Sequence, residues 1–210
     1  MRDAGAGQPV TAGGATLAEG IAVKTPGAIA LPIVRELVDR IIVLEEAAIE
    51  NAVEIMADAG RLVVEGAGAV GLGAVLAEPD LFREGNTGLV VSGGNIDMRV
   101  LASVLLRGLV RGGQLVRLRI QITDAPGNLA QVTRIIGEAG GNIVEIVHQR
   151  LFYDVPVKQT DIDVVIETRN GSHAGEIKEN SKFPDGRPSP SAILPLCRRP
   201  KRLINHSQAM

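Results

Sequence analysis

Leu62-Val-Val-Glu65-Gly66-Ala-Gly68-Ala-Val-Gly71-Leu-Gly-Ala-Val-Leu76 decides the reading of the first half of this 210-residue chain. A short run of branched apolar residues meets glycines, and a helical pattern follows, which predicts a strand turning directly into a helix. Working outward, Leu89-Val90-Val91 ends in Ser92-Gly93-Gly94-Asn95 and leads into an amphipathic stretch with Leu101, Val104, Leu105 and Leu109 on one side. On the other flank, Ile41-Ile-Val-Leu44 is a third strand candidate. It precedes a stretch in which Ile49, Ala52, Val53 and Met56 fall at i, i+3, i+4 and i+7. Further upstream, Pro26-Gly27 opens a helix-like stretch to Asp39, and residues 1–15 carry no period. Continuous Val, Ile and Leu runs between helices predict a buried, mostly parallel sheet and an α/β class.

The period changes near Gly112-Gly113. Val116, Leu118, Ile120 and Ile122 alternate with Arg117, Arg119 and Gln121, the pattern of a half-buried strand. Asp124-Ala-Pro-Gly127 is a turn. A helix carries Leu129, Val132, Ile136 and Ala139 and stops at Gly140-Gly141, and Asn142 to Phe152 is extended. Ile162, Val164 and Ile166 form another one-sided strand, and Ser172 is placed as the cap of a helix with Glu176 in its first turns. The order β-α-β-β-α is a ferredoxin-like split βαβ without its last strand. The domains therefore divide as 1–112, 114–177 and a tail, 178–210. The tail has seven Lys or Arg against two acids, several prolines and no period. It reads as a disordered basic segment, or as residues out of frame after about Ile177, and receives no function.

Composition removes several function classes. Net charge is −2 and aromatics are 2% with no tryptophan, so neither a basic field nor stacking platforms for nucleic acid exist. Cys197 is the only cysteine, which excludes an internal disulfide and a multi-cysteine zinc site. With no signal-like start and no run of about 18 apolar residues, a soluble cytoplasmic protein without membrane contact is expected.

Two glycine motifs carry candidate chemistry. Gly66-Ala-Gly68-Ala-Val-Gly71 fits the dinucleotide-binding spacing. Yet Glu65 would oppose a pyrophosphate at the helix start, and the next strand ends in Ser92 where an acid should meet the ribose. Glycines that let a helix pack closely on a sheet are the favoured alternative. Ser92-Gly93-Gly94-Asn95 lies at the carboxyl end of a strand candidate, where open α/β sheets bind ligands, though a plain tight turn also explains it.

Four blocks together resemble the second half of the threonine ammonia-lyases, or threonine dehydratases. They are TLAEGIAVKTPG (Thr16–Gly27), LPIVRELVD (Leu31–Asp39), LVVEGAGAVGLGAVL (Leu62–Leu76) and VVSGGNID (Val90–Asp97), in the family's order and spacing. The resemblance implies part of a fold-type II, tryptophan synthase beta-like domain that uses pyridoxal 5'-phosphate to convert threonine to 2-oxobutanoate and ammonia. It gives Ser92 the contact to the pyridine nitrogen, and Gly93, Glu65 and Gly20 the lining of the same pocket. It implies no catalytic residue here: the family's Schiff-base lysine and phosphate loop lie in its amino-terminal half, as do the acidic metal ligands of some relatives. None of Lys24, Lys158, Lys178, Lys182 and Lys201 sits in a matching motif. The chain alone is expected to be inactive, and no metal site is expected in it.

DAPGNLA (Asp124–Ala130) and GGNIVEIVHQR (Gly140–Arg150) resemble an ACT domain, a regulatory amino-acid-binding module, here truncated. By that resemblance Asp124, Pro126, Gly127, Asn128 and Asn142 form an effector site between paired domains, for isoleucine or valine, in a homo-oligomeric enzyme of isoleucine biosynthesis. From the residues alone, ordinary turn and capping chemistry explains the same positions. A non-enzymatic amino-acid-binding module is the competing function. His148 and Arg150 share a strand face that reads as solvated.

Overall fold

The computed structural model describes residues 14–149 and 158–180. The chain divides into two compact units, Met1–Gly108 and Leu109–Met210.

The first unit is helical. It contains α1 (Ala30–Leu37), α2 (Glu46–Asp58), α3 (Gly66–Ala77) and most of α4 (Met98–Arg111), with short 3₁₀ turns at Glu19–Ile21 and Pro79–Phe82. The spacing read from α2 is its buried face: Ile49, Ala52, Val53 and Met56. Ala52, Val53 and Met56 pack with Val64, Ala69 of α3, and Leu101 and Val104 of α4, closing one core. Leu109, read as part of the same face, is largely exposed.

The glycine-rich run is itself α3, and no separate helix follows it. Each interior glycine costs a helix about 1 kcal/mol relative to alanine. Close approach explains their presence. A Cβ on Gly66 would strike the Leu17 carbonyl, one on Gly68 would stand 2.9 Å from the Gly93 oxygen, and one on Gly73 3.0 Å from Leu44.

The parallel sheet expected from Ile41–Leu44, Leu62–Val64 and Leu89–Val91 is not formed. These runs join no ladder among the described residues. A strand exists only through a neighbour that pairs its N–H and C=O groups. Lacking that neighbour, the runs expose apolar side chains, with Val63 56% and Val90 84% accessible. Two of them meet at their carboxyl ends, through the Glu65 N–H donating to the Gly93 carbonyl at 3.1 Å.

The second unit is a three-stranded sheet with helices, in the order β1 (Leu115–Thr123), α5 (Asn128–Glu138), β2 (Asn142–Gln149), β3 (Gln159–Glu167) and α6 (Gly171–Asn180). The sheet order β1-β3-β2, with β3 antiparallel to both neighbours, is the split βαβ arrangement read from the sequence. Leu118, Ile120, Ile122, Ile162, Val164 and Ile166 meet Val132, Ile136 and Ile177 in one core. Burying each of the larger side chains contributes about 1.5–3 kcal/mol.

Three details depart from the sequence reading. Asn170, and not Ser172, caps α6: its Oδ1 accepts the His173 N–H at 2.9 Å. The helix runs to Asn180, so Lys178–Asn180 of the expected tail are its last turn. His148 does not sit on a solvated face: it is half-buried opposite Ile162, and its Nε2 is buried without a hydrogen-bond partner. Arg150 and the tail beyond residue 180 lie outside the described residues.

Candidate functional site

The four residues singled out in the first half converge. Glu65 is the N-cap residue of α3, in extended conformation before Gly66. Its side chain lies against Gly93, where any Cβ would collide with the carboxylate. A Cβ on Gly20 would stand 3.1 Å from Ala67 and 3.5 Å from Glu65 Oε1. Ser92 is exposed beside Gly93, its own amide near Gly68. Gly94 closes the turn so tightly that a Cβ would stand 2.8 Å from the Val63 carbonyl. The site is therefore built from close approaches at glycines, to the Val63 carbonyl at Gly94 and to the Glu65 and Ala67 side chains at Gly93 and Gly20, with one hydroxyl and one half-buried carboxylate at its edge.

Beside it lies a cavity of about 420 Å³, whose lining includes Thr16, Leu17, Glu46, Glu65, Asn95 and Asp97. Glu46 escaped the sequence reading. Its Oε2 accepts the Leu17 N–H at 2.9 Å across 29 residues, a contact that leaves no local trace in the sequence. Asp97 caps α4 by accepting the Arg99 and Val100 N–H groups at 2.9 and 3.1 Å. No group of three or more metal-ligating His, Cys, Asp or Glu side chains occurs among the described residues. No described helix is long and apolar enough to cross a membrane.

Residues 1–93 match the pyridoxal-phosphate dependent enzyme family. That segment contains the whole convergence of Gly20, Glu65, Ser92 and Gly93. Over this segment the chain is similar to the pyridoxal-phosphate dependent enzymes. The chain is 41% identical over 169 residues to an L-threonine ammonia-lyase of Geobacter sulfurreducens, covering 80% of this chain and 41% of that one. It is 36% identical over 163 residues to an L-threonine ammonia-lyase of Thermotoga maritima, covering 78% and 40%. A solved T.th. threonine deaminase is similar at 35% identity and a TM-score of 0.42, covering 46% of this chain and 36% of that one. The chain thus spans about two fifths of the length of the curated relatives it matches. A match of 169 residues exceeds the first unit, so part of the second unit is shared with those relatives.

The glycine motif is accounted for within this family without a dinucleotide. Gly66 and Gly68 are filled by the Leu17 and Gly93 backbones, which leaves neither glycine free to approach a pyrophosphate. The residues present do fit one side of a flat pyridine ring: a glycine turn that a side chain would obstruct, and a neutral hydroxyl at its tip.

In the second unit, the proposed effector residues separate into two groups. Gly127, at φ +92°, forms the left-handed turn that starts α5, and Asn128 Nδ2 donates to the Thr123 carbonyl at 2.8 Å. The Asp124 N–H donates to the Lys158 carbonyl at 2.9 Å, and Pro126 is exposed in the same turn. Asn142 lies at the opposite end of the sheet, where its Nδ2 donates to Glu167 Oε2 at 2.7 Å. Strand β3 pairs Gln159 with Thr123 and Glu167 with Asn142. At about 3.3 Å per residue, the two groups stand roughly 26 Å apart.

The strongest electrostatic feature of this unit is elsewhere. Asp163 is 5% exposed on the sheet face away from the helices, held by Arg119 Nε at 2.8 Å and Arg117 at 2.5 Å. The Arg119 hydrogen bonds lower its carboxyl from the ordinary value, burial opposes them, and Arg117 adds to the lowering.

Proposed function

We propose that this chain supplies the ring-side wall of the cofactor pocket in a threonine ammonia-lyase, which removes water and then ammonia from threonine to give 2-oxobutanoate. One observation carries the reading: the Glu65 N–H to Gly93 carbonyl bond holds the α3 turn against the Ser92–Asn95 turn, leaving Ser92 exposed at their junction. Ser92 contacts the ring nitrogen in this reading, with Gly93, Glu65 and Gly20 around it. When bound, pyridoxal 5'-phosphate supplies the electron sink for loss of the substrate Cα proton and β-hydroxyl. A neutral hydroxyl does not force the ring nitrogen into its protonated form, which limits that sink and favours elimination. No lysine lies among these pocket residues, and in this reading the family's amino-terminal half supplies the nucleophile. A cytoplasmic location belongs to the same reading, and the single cysteine is consistent with it.

The test is threonine-dependent 2-oxobutanoate formation with added pyridoxal 5'-phosphate, by the chain alone and by the chain combined with a lysine-bearing amino-terminal half. Product only in the combination is expected. Silence in both arms overturns the lyase reading, and product from the chain alone overturns the external nucleophile.

A second role rests on the split βαβ topology of residues 114–177 together with the left-handed Gly127 turn. In this reading the second unit is an ACT domain that binds isoleucine or valine at Asp124, Pro126, Gly127 and Asn128. The separation of Asn142 means that it joins such a site only from a second copy, in a homo-oligomer. Calorimetry with the two amino acids tests it: heat that is lost in Gly127→Val supports the role, and no heat removes it.

A further inference from the structure

Glu46 holds the segment that carries one wall of the proposed pocket, although it is distant in sequence from every residue of that pocket. It is the first residue of α2, where the helix dipole favours a carboxylate. Its Oε2 accepts the Leu17 N–H at 2.9 Å. Leu17 is fixed from its other side as well, because its carbonyl lies directly over Gly66, with no room for a side chain between them. Ala18, the next residue, is 2% exposed and packs with Ile49 of α2 and Ala67 of α3. Two residues further on, Gly20 faces Ala67 and the Glu65 carboxylate. The path from Glu46 to the pocket is therefore short: the Glu46 carboxylate to the Leu17 N–H, the Leu17 carbonyl to Gly66, and Gly20 and Gly93 each to the Glu65 carboxylate.

We propose that Glu46 is a positioning residue for the cofactor pocket, setting the place of the Thr16–Gly20 backbone and with it the width of the slot between Gly20, Glu65 and Gly93. The proposal rests on the pyridoxal-phosphate reading of that pocket. Glu46 touches no reacting atom in it. The requirement is for an acceptor at the Leu17 N–H, not for a charge, since the partner is a neutral amide. Glu46→Gln keeps a carbonyl acceptor at the same reach, whereas Glu46→Ala removes it. Glu45→Ala deletes the neighbouring charge and leaves the Leu17 bond in place.

Two measurements separate the proposal from the reading beneath it. The first is amide hydrogen exchange at Leu17–Gly20 in the chain alone, which needs no cofactor. The second is the absorption of pyridoxal 5'-phosphate titrated into the chain combined with a lysine-bearing amino-terminal half. Glu46→Ala is expected to speed exchange at Leu17 and weaken cofactor binding by up to about ten-fold, the upper end for one ordinary hydrogen bond. Glu46→Gln and Glu45→Ala should stay within about two-fold of the native protein in both readouts. Unchanged Leu17 exchange in Glu46→Ala overturns the holding role. Faster exchange with unchanged cofactor affinity confines Glu46 to local structure and overturns the positioning role. Equal weakening in Glu45→Ala shows a charge effect and also overturns it. Should Glu46→Ala fail to fold, Glu46→Gln against Glu46→Lys decides, since lysine offers no acceptor. Absence of any cofactor spectrum in the native combination removes the pocket reading itself, and the proposal with it.

Discussion

The two units use the same apolar vocabulary to opposite effect. In the second, Ile162, Val164 and Ile166 lie in the middle of a three-stranded sheet and are fully buried. In the first, Leu62-Val63 and Leu89-Val90-Val91 are equally rich in strand-forming residues, yet they join no ladder and remain exposed. The difference is the supply of partners. β3 has β1 on one side and β2 on the other, both nearby in sequence. The first unit packs α2, α3 and α4 together and brings two of its apolar runs close at their carboxyl ends, through Glu65–Gly93 and Val63–Gly94, without a ladder. Strand propensity describes fitness for a pleated, half-buried surface; it does not create that surface.

This contrast is broken most sharply by truncating the centre of each pattern. Ile162→Ala removes a fully buried side chain and should cost about 4 kcal/mol, against under about 0.5 kcal/mol for Leu62→Ala on the exposed run. Urea unfolding of the two variants checks this. Equal losses would mean that the first unit buries Leu62 in solution.

A smaller effect distinguishes the charged face of the second unit's sheet. Asp163→Asn leaves two arginines facing a neutral amide and should cost about 3 kcal/mol. The pH dependence has a definite sign. The folded carboxyl is held below its ordinary value by Arg119, with Arg117 adding to it, so its contribution is complete above the unfolded value. It is lost as pH falls through the folded value, below about pH 4. Acid titration of native and Asp163→Asn stability should therefore show a constant gap above about pH 4 that closes as the pH falls below it. Parallel curves across that window would show that the arginines do not hold the ionised form.

What was legible in the sequence was whatever depends on spacing along one element. The α2 face, the β1 and β3 alternation and the order β-α-β-β-α are all local patterns, and the structure reproduces them. What was not legible depends on residues brought from elsewhere. Asp163 reads as a solvent-side position, yet it is buried, with the Arg117 and Arg119 side chains of β1 bonded to its carboxylate and Val147 of β2 opposite it. His173 carries no signal in the sequence. Its ring is nonetheless buried between the Arg169 N–H at 3.1 Å and the Ala139 carbonyl at 2.8 Å, tying the start of α6 to the end of α5. In the candidate site, Gly20, Glu65, Ser92 and Gly93 were legible only as a set of motifs in order. Glu46 was not, because a hydrogen bond across 29 residues has no periodic signature. The parallel sheet was over-read for the complementary reason: periodicity reports what a segment suits, and ladder formation needs a second segment.

The smallest expected effect is also the one that joins the two halves of the comparison. Val90 is 84% exposed, so Val90→Thr, which keeps the branched shape and adds a hydroxyl, should change the chain's stability by less than about 0.5 kcal/mol. On the proposed reading, the same run, two residues before Ser92, would gain neighbours from the family's amino-terminal half. There the hydroxyl would be buried without a partner, at a cost of about 1–3 kcal/mol. Thermal unfolding of native and Val90→Thr chains, alone and in the combination that makes 2-oxobutanoate, measures both values. A penalty that appears only in the combination places Val90 in a completed sheet. A penalty already present in the isolated chain would mean that the apolar run is covered there, and the contrast between the two units would lose its basis.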